Sequence, residues 1–438
     1  MDISNEMLAV LSIISMFGLF CTGFPISYTM IFSGLLFGFL GFGKLVFHLL
    51  TIQFWQVMSD PVMGAIPFFL LMGYLLEGAG LMDRLFRSFQ LLLARLPGSL
   101  YGAISLTGTI FAAATGIVGS SVNLLCIMAE PSMRRSGYDI RMGAGCIAAA
   151  GTLGILIPPS IMLVVLGPIM GLPITDLFAA AILPGLLLAG IYVAYSLIKC
   201  AIWPQYGPPL PKEERAASMA LVLKELLIGA VPLAILIFST LGSILCGIAT
   251  PTEASACGAF GALALVIVYR KFTWKGLAKA LHSTILLSSM ILIMIASCNF
   301  FGSVFSRLGG AVALSNALLG MDIAPMFMLF LIMAIIFFMG WAMEWVPIVL
   351  ILVPLLIPVV EAMQFDKLWF CLVVAVQTSW LSPPVALSCY FIKGSLPHWP
   401  LNDIYKGMFQ YIGCQLVGLI LIILFPAIVT WLPNYLKQ

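Results

Sequence analysis

Charge is what this sequence has least of. Only 8% of its 438 residues are Asp, Glu, Lys or Arg, against 62% hydrophobic residues and a mean hydropathy of +1.14. A soluble protein of this size has no interior large enough to hide that much apolar surface, so the composition defines an all-helical polytopic membrane protein. The net charge is only +3, and the basic residues are scattered among short loops. That excludes a nucleic-acid surface, and lipid is the expected partner. No secretory leader is apparent: the segment from Met1 to Glu6 is polar and acidic, and no small-residue cleavage site follows the first apolar run.

The reactive constellations are missing as well. The three histidines, His48, His282 and His398, lie far apart, which argues against a metal centre. There is no Ser-His-Asp arrangement and no phosphate loop ending in GK[ST]. The ten cysteines form no CxxC pair, and nine of them fall inside apolar segments. They read as small core residues, neither ligands nor a disulfide framework. Nothing here points to an enzyme or to an organic cofactor. An intramembrane enzyme needs convergent His, Asp or Ser residues at mid-depth, and the charges of this chain sit mostly at segment ends.

What is present is a series of apolar stretches near 7–23, 26–43, 60–79, 142–170, 176–199, 224–246, 250–269, 281–302, 368–393 and 410–433, each long enough for a span of about 20 residues. Two more, 97–131 and 325–361, are too long for one span and carry Gly-rich or polar residues at their middles. They suit re-entrant hairpins. With the N-terminus outside, this reading puts sixteen of the twenty basic residues on the cytoplasmic side. The exceptions are Lys44, Arg307, Lys367 and Lys437. Treating either hairpin as a single span spoils that count. The C-terminus then lies outside too. The segment LMDRLFRSFQLLLARL (81–96) reads as an interfacial amphipathic helix, and the Pro-rich polar stretch 203–218 as a cytoplasmic linker.

The two halves, 1–202 and 219–438, match. Pro25 and Pro251 are 226 positions apart, Asp139 and Asp366 are 227 apart, and Pro158 and Pro383 are 225 apart. Three landmarks at one offset imply a duplication, and the topology makes the copies inverted. Inverted repeats with discontinuous helices define secondary transporters; a channel has no need of duplicated hairpins. Pro158–Pro159 in GTLGILIPPS (151–160) and Pro383–Pro384 in TSWLSPPV (378–385) lack backbone donors. Each pair breaks its helix, about 142–170 and about 368–393. Broken backbone at membrane depth is tolerated only where it lines a cavity or is buried in protein. There its carbonyls suit a cation such as Na⁺, and its helix N-termini suit an anion. Asp139, Asp366 and the pair Thr252/Glu253 read as helix caps.

At these residues the chain resembles the large membrane subunit of tripartite ATP-independent periplasmic (TRAP) transporters. The pieces that carry the resemblance are IPFFLLMGYLLEGAGLMDRL (66–85), GSSV (119–122), GYD (137–139), AAGTLGILIPPSIMLVVLG (149–167), GIATPTEASACGAFGAL (247–263) and TSWLSPPVALSCYFIKG (378–394). The last is similar to the mannitol/chloroaromatic branch. The resemblance implies Na⁺-driven symport of a small organic acid, such as a carboxylate or 2-oxo acid, across the bacterial inner membrane. It implies an elevator motion of the hairpins and broken helices. It also implies two separate partners, a periplasmic substrate-binding protein and a small four-helix membrane subunit. By motif position, one sodium site is expected at Ser120, Ser121, Asn123, Gly151 and Thr152. A second is expected at Gly340, Glu344, Thr378 and Ser379, with the substrate near the two proline pairs. The second hairpin departs from the family pattern: Trp345 and Val346 separate Glu344 from Pro347. A stand-alone ion-coupled organic-anion carrier of the same architecture is the near alternative.

Overall fold

The structure, a computed structural model, describes residues 4–116, 118–210, 219–340, 345–377, 381 and 386–437. Every regular element among them is helical. Among the described residues, seven helices are long and apolar enough to cross a membrane, or eight when the bent pair Ile140–Leu156 and Ile161–Met170 counts as one span.

The duplication is visible helix by helix. Asn5–Cys21 and Ile26–Phe42 correspond to Met219–Leu245 and Pro251–Val268. The 34-residue helix Trp274–Arg307 has as its counterpart a run of the same length from Leu45 to Gly78. That run is interrupted at Asp60, whose carboxylate accepts from Val62 N (2.9 Å), and Pro61, which supplies no N–H. The amphipathic Leu81–Leu92 corresponds to Gly310–Leu319. The first hairpin, Ser99–Thr115 and Val118–Arg135, corresponds to Pro325–Met339 and Trp345–Ala362, where a π turn occupies Ile348–Leu352. Each repeat then carries a broken helix: Ile140–Leu156 with Ile161–Met170, and Lys367–Gln377 with Leu387–Ser395. Each closes on a long helix, Ile174–Ile202 or Leu401–Leu424, and Ala427–Leu436 follows the second.

Backbone detail repeats too. Gly43 and Arg270 both take left-handed φ (63° and 55°), as do Gly137 and Gln364 (69° and 58°). Both pairs lie at the offset of 227 that separates Asp139 from Asp366. These two aspartates cap equivalent helices: Asp139 Oδ1 accepts from Met142 N (2.8 Å) and Asp366 Oδ1 from Trp369 N (2.7 Å). Glu253 closes a capping box with Thr250, its carboxylate accepting from Thr250 N (2.8 Å).

The repeats interlock rather than sit side by side. Ile26–Phe42 lies against Trp274–Arg307, where a Cβ on Gly34 would strike the Phe300 ring. Pro251–Val268 lies against Ala65–Gly78, where Gly258 faces Met72. These four helices belong to an outer frame. The hairpins and broken helices form an inner unit, also shared between repeats: Ile140–Leu156 crosses Leu401–Leu424 at Gly145 and Gly407, whose backbones touch. Small residues let helices approach this closely in an apolar solvent. All ten cysteines are free; Cys21, Cys246 and Cys257 are exposed and the other seven are buried.

Candidate functional site

The first break is short. The helix from Ile140 runs unbroken through Gly151, Thr152 and Gly154 to Leu156 and restarts at Ile161, bent by 42°. Pro158 and Pro159 have no N–H to give back to the preceding turn. Ser160 repairs part of the loss. Its hydroxyl donates to Ile155 O and accepts from Leu163 N (3.5 Å), capping the second half-helix. The sequence signal was present, a serine directly before an apolar run, but Ser160 is not among the residues the motif picks out.

The tip of the first hairpin docks on this break. Gly116 turns there with φ +60°, and a Cβ on it would lie 2.9 Å from Pro159 O. Below the tip, Gly151 faces Val122, so the returning hairpin helix and the first half-helix meet backbone to side chain. Helical geometry divides the five residues expected at the first cation site. Ser121, Gly151 and Thr152 lie in the seam between hairpin and broken helix. There Ser121 Oγ is 3.4 Å from Thr115 Oγ1, and Thr152 Oγ1 donates to Ala149 O (2.9 Å). Ser120 and Asn123, three residues apart, share the opposite face and line a cavity of about 460 Å³. Ser120 Oγ donates to the carboxylate of Glu77, on the frame helix Ala65–Gly78. Asn123 Oδ1 accepts from Ser395 Oγ (2.9 Å), at the end of the second half-helix of the other repeat.

The cavity lies where frame and inner unit meet. Tyr74 and Glu77 come from one frame helix, and Leu287, Met290 and Met294 from another. Gly116 and Ser120 come from the first hairpin tip, Ile155 and Ile161 from the two sides of the break. Trp345 and Val346 of the second hairpin and Leu387 and Phe391 of the second broken helix complete it. Both hairpins and both broken helices therefore reach one chamber, whose described lining is apolar apart from a few groups beside Glu77. Glu77 is a second residue of the candidate site that the sequence did not single out: its partner Ser120 stands 43 positions away and only packing brings them together.

Among the described residues no three His, Cys, Asp or Glu side chains gather into a metal centre. The oxygens near the first break are hydroxyls, an amide, a carboxylate and main-chain carbonyls, a donor set for a hard monovalent or divalent cation. Of the second expected site, Gly340 ends the helix Pro325–Met339. Glu344, Thr378, Ser379, Pro383 and Pro384 lie outside the described residues.

Interlocked inverted repeats, a first hairpin docked on the first helix break and a chamber where frame and inner unit meet define a membrane transporter architecture. Its fold is similar to that in the crystal structure of the Alcanivorax borkumensis YdaH transporter, with a TM-score of 0.56 at 15% identity over 86% of this chain and 90% of that one. Residues 13–428 match the family model of the tripartite ATP-independent periplasmic transporter, DctM component, and the chain belongs to that family of membrane transporters. It is 30% identical to the C4-dicarboxylate TRAP transporter large permease protein DctM of Pseudomonas aeruginosa, over 88% of this chain and 90% of the relative. It is 28% identical to the sialic acid TRAP transporter large permease protein SiaM of Vibrio cholerae, over 97% and 98%.

Proposed function

We propose that this chain is the large subunit of a Na⁺-coupled importer of a small organic acid in the bacterial inner membrane. A periplasmic binding protein feeds it and a small four-helix membrane subunit supports it. The observation that carries this reading is the docking of the first hairpin tip on the Pro158–Pro159 break beside the chamber. Pro158 and Pro159 deny helical partners to the carbonyls of Gly154 and Ile155, so a bound Na⁺ has carbonyl and hydroxyl oxygen within reach. The substrates named for the two relatives, a C4-dicarboxylate and sialic acid, differ in shape but both carry a carboxylate.

Coupling follows from electrostatics. Glu77 is the carboxylate of the chamber's described lining, so an entering anion meets a negative charge. Na⁺ beside Ser120 and Glu77 offsets that charge and makes anion entry conditional on the cation. A second cation belongs at the matching position of the other repeat, by Gly340, Glu344, Thr378 and Ser379. The inner unit then moves across the frame as an elevator, with both chain termini on the periplasmic side.

The test is uptake into proteoliposomes containing this chain, its small subunit and its binding protein. An inward Na⁺ gradient is expected to drive accumulation of the acid. Equal uptake with choline in place of Na⁺, with or without a pH gradient, sinks the reading.

A further inference from the structure

A second cavity, of about 470 Å³, lies further along the frame helix Trp274–Arg307, past the residues that line the chamber. Its polar wall is Asn299, Ser303, Ser306 and Arg307, joined by Gln53 from the neighbouring frame helix. Its other wall is apolar and belongs to the inner unit: Ile169 from the broken helix, and Leu350, Ile351 and Leu355 from the second hairpin. Asn299, Ser303 and Ser306 follow one another at helical spacing, so they form one stripe. In a chain with 8% charged residues, a polar stripe ending in an arginine is not compositional background. Within the described residues, the Arg307 guanidinium forms no ion pair, and the four polar side chains beside it form no hydrogen bond with protein.

We propose that this cavity is an outer waiting site for the organic anion, with Arg307 as its charge. The proposal rests on the reading of the chain as an organic-acid importer and on its termini lying outside, which puts Arg307 on the periplasmic side. A guanidinium offers two parallel donors to a carboxylate, and Ser303, Ser306 and Asn299 supply further donors. The apolar wall takes the body of the acid, and the volume suits a small molecule. The two cavities share one helix, separated by buried Ile295–Cys298. The outer one carries a cation and the inner one a carboxylate. An anion is therefore captured outside without Na⁺ and passes to the chamber only when Na⁺ offsets Glu77. Because the apolar wall moves with the inner unit, displacement of that unit dismantles the waiting site and releases its occupant inward.

The test uses the full chain with Ser303→Cys, with and without Arg307→Gln, in intact cells, read by mass spectrometry of the peptide holding position 303. A membrane-impermeant anionic methanethiosulfonate is expected to react faster than its cationic analogue. One unit charge roughly 7 Å away in water changes each rate about threefold in opposite directions. The Arg307→Gln change is therefore expected to lower the ratio roughly sevenfold at low salt. Pyruvate, succinate and benzoate are the probes for occupancy. At least one of them, at millimolar concentration and without Na⁺, is expected to slow labelling by a neutral maleimide when Arg307 is present but not after Arg307→Gln. In proteoliposomes, Arg307→Gln is expected to raise KM for the transported acid with the maximal rate kept, and Arg307→Lys to restore part of the loss. Absence of protection by all three acids, or protection indifferent to Arg307→Gln, overturns the waiting site. Na⁺-independent uptake with protection intact overturns the coupling reading instead.

Discussion

Replacing Gly151 with alanine probes the contact between hairpin and broken helix that would shape the proposed first cation site. A Cβ at 151 would lie well inside 3.0 Å of Val122 Cγ2 and 3.3 Å from Val122 N. Ordinary contact begins at 3.4 Å, so hairpin and broken helix must part by more than the 0.4 Å between those limits. Rotating Val122 does not relieve this, because a β-branched side chain in a helix has one strongly preferred rotamer and the crowding extends to the backbone. Overpacking of this kind costs about 1–3 kcal/mol. Glycine to alanine in a helix returns about 1 kcal/mol, so the net change is a loss of about 0–2 kcal/mol. Gly190 supplies the control, since it lies mid-helix in Ile174–Ile202 and a Cβ added there would meet nothing within 4 Å. Gly190→Ala is expected to raise thermal stability and leave uptake alone. Gly151→Ala is expected to lower stability slightly and to raise the Na⁺ concentration for half-maximal uptake several-fold. The assay pairs scanning fluorimetry of the purified protein with Na⁺ titration of proteoliposome uptake. If the two alanine variants behave alike, the seating of the hairpin on the broken helix does not shape the cation site beside Ser120 and Glu77.

Other perturbations separate the remaining roles. Replacing both Pro158 and Pro159 with alanine restores two N–H donors and makes a continuous helix accessible; a monodisperse, well-expressed protein with a higher Na⁺ requirement is expected from gel filtration and uptake. Glu77→Gln keeps an acceptor for Ser120 but removes the charge, so uptake measured against Na⁺ concentration should depend less steeply on the cation, whereas Glu77→Ala should also loosen the hairpin tip and expose it to added protease. Gly407→Ala drives a Cβ into the Arg141 carbonyl, a backbone clash with no flexible neighbour to yield, and membrane expression should collapse. Arg141→Gln breaks an exposed ion pair with Asp403 (2.8 Å), and its melting shift should correspond to no more than about 1 kcal/mol.

The parts of this architecture that were legible in the sequence are those set by local chemistry. Proline pairs, capping aspartates and a constant offset are one-dimensional signals, and Asp139 and Asp366 cap equivalent helices as their positions imply. Gly151 shows where local reading stops. As a glycine before a break it suggests a loosened turn, yet the helix continues to Leu156. A helical glycine costs only about 1 kcal/mol, whereas peptide groups freed in apolar surroundings cost several each. The helix therefore persists until proline forbids it, and Gly151 serves instead as the seat for Val122. The bond from Ser120 to Glu77 and the grouping of Gln53 with Asn299 and Arg307 depend on which helices become neighbours, and no spacing along the chain encodes that.

The duplication gives these charges a relation that neither has alone. The run from Leu45 to Gly78 and the helix Trp274–Arg307 are equivalent, and each ends within a residue of an ionisable side chain, Glu77 in one and Arg307 in the other. With the repeats inverted, equivalent ends fall on opposite sides of the membrane. The two are not the same ancestral position, since the offset of 229 between the runs pairs Glu77 with Ser306 and Arg307 with Gly78; equivalent helix ends have acquired an acid in one repeat and a base in the other. The steric frame stayed symmetric, as the matched left-handed turns at Gly43 and Arg270 show, while its electrostatics did not. In the proposed elevator motion, a symmetric frame would let the inner unit occupy either side with similar packing. Opposed charges break the equivalence for an anion, attracting it at one end and demanding a cation at the other. In the proposed importer, direction comes from the ion gradient, and these two residues would tie the anion's path to that gradient.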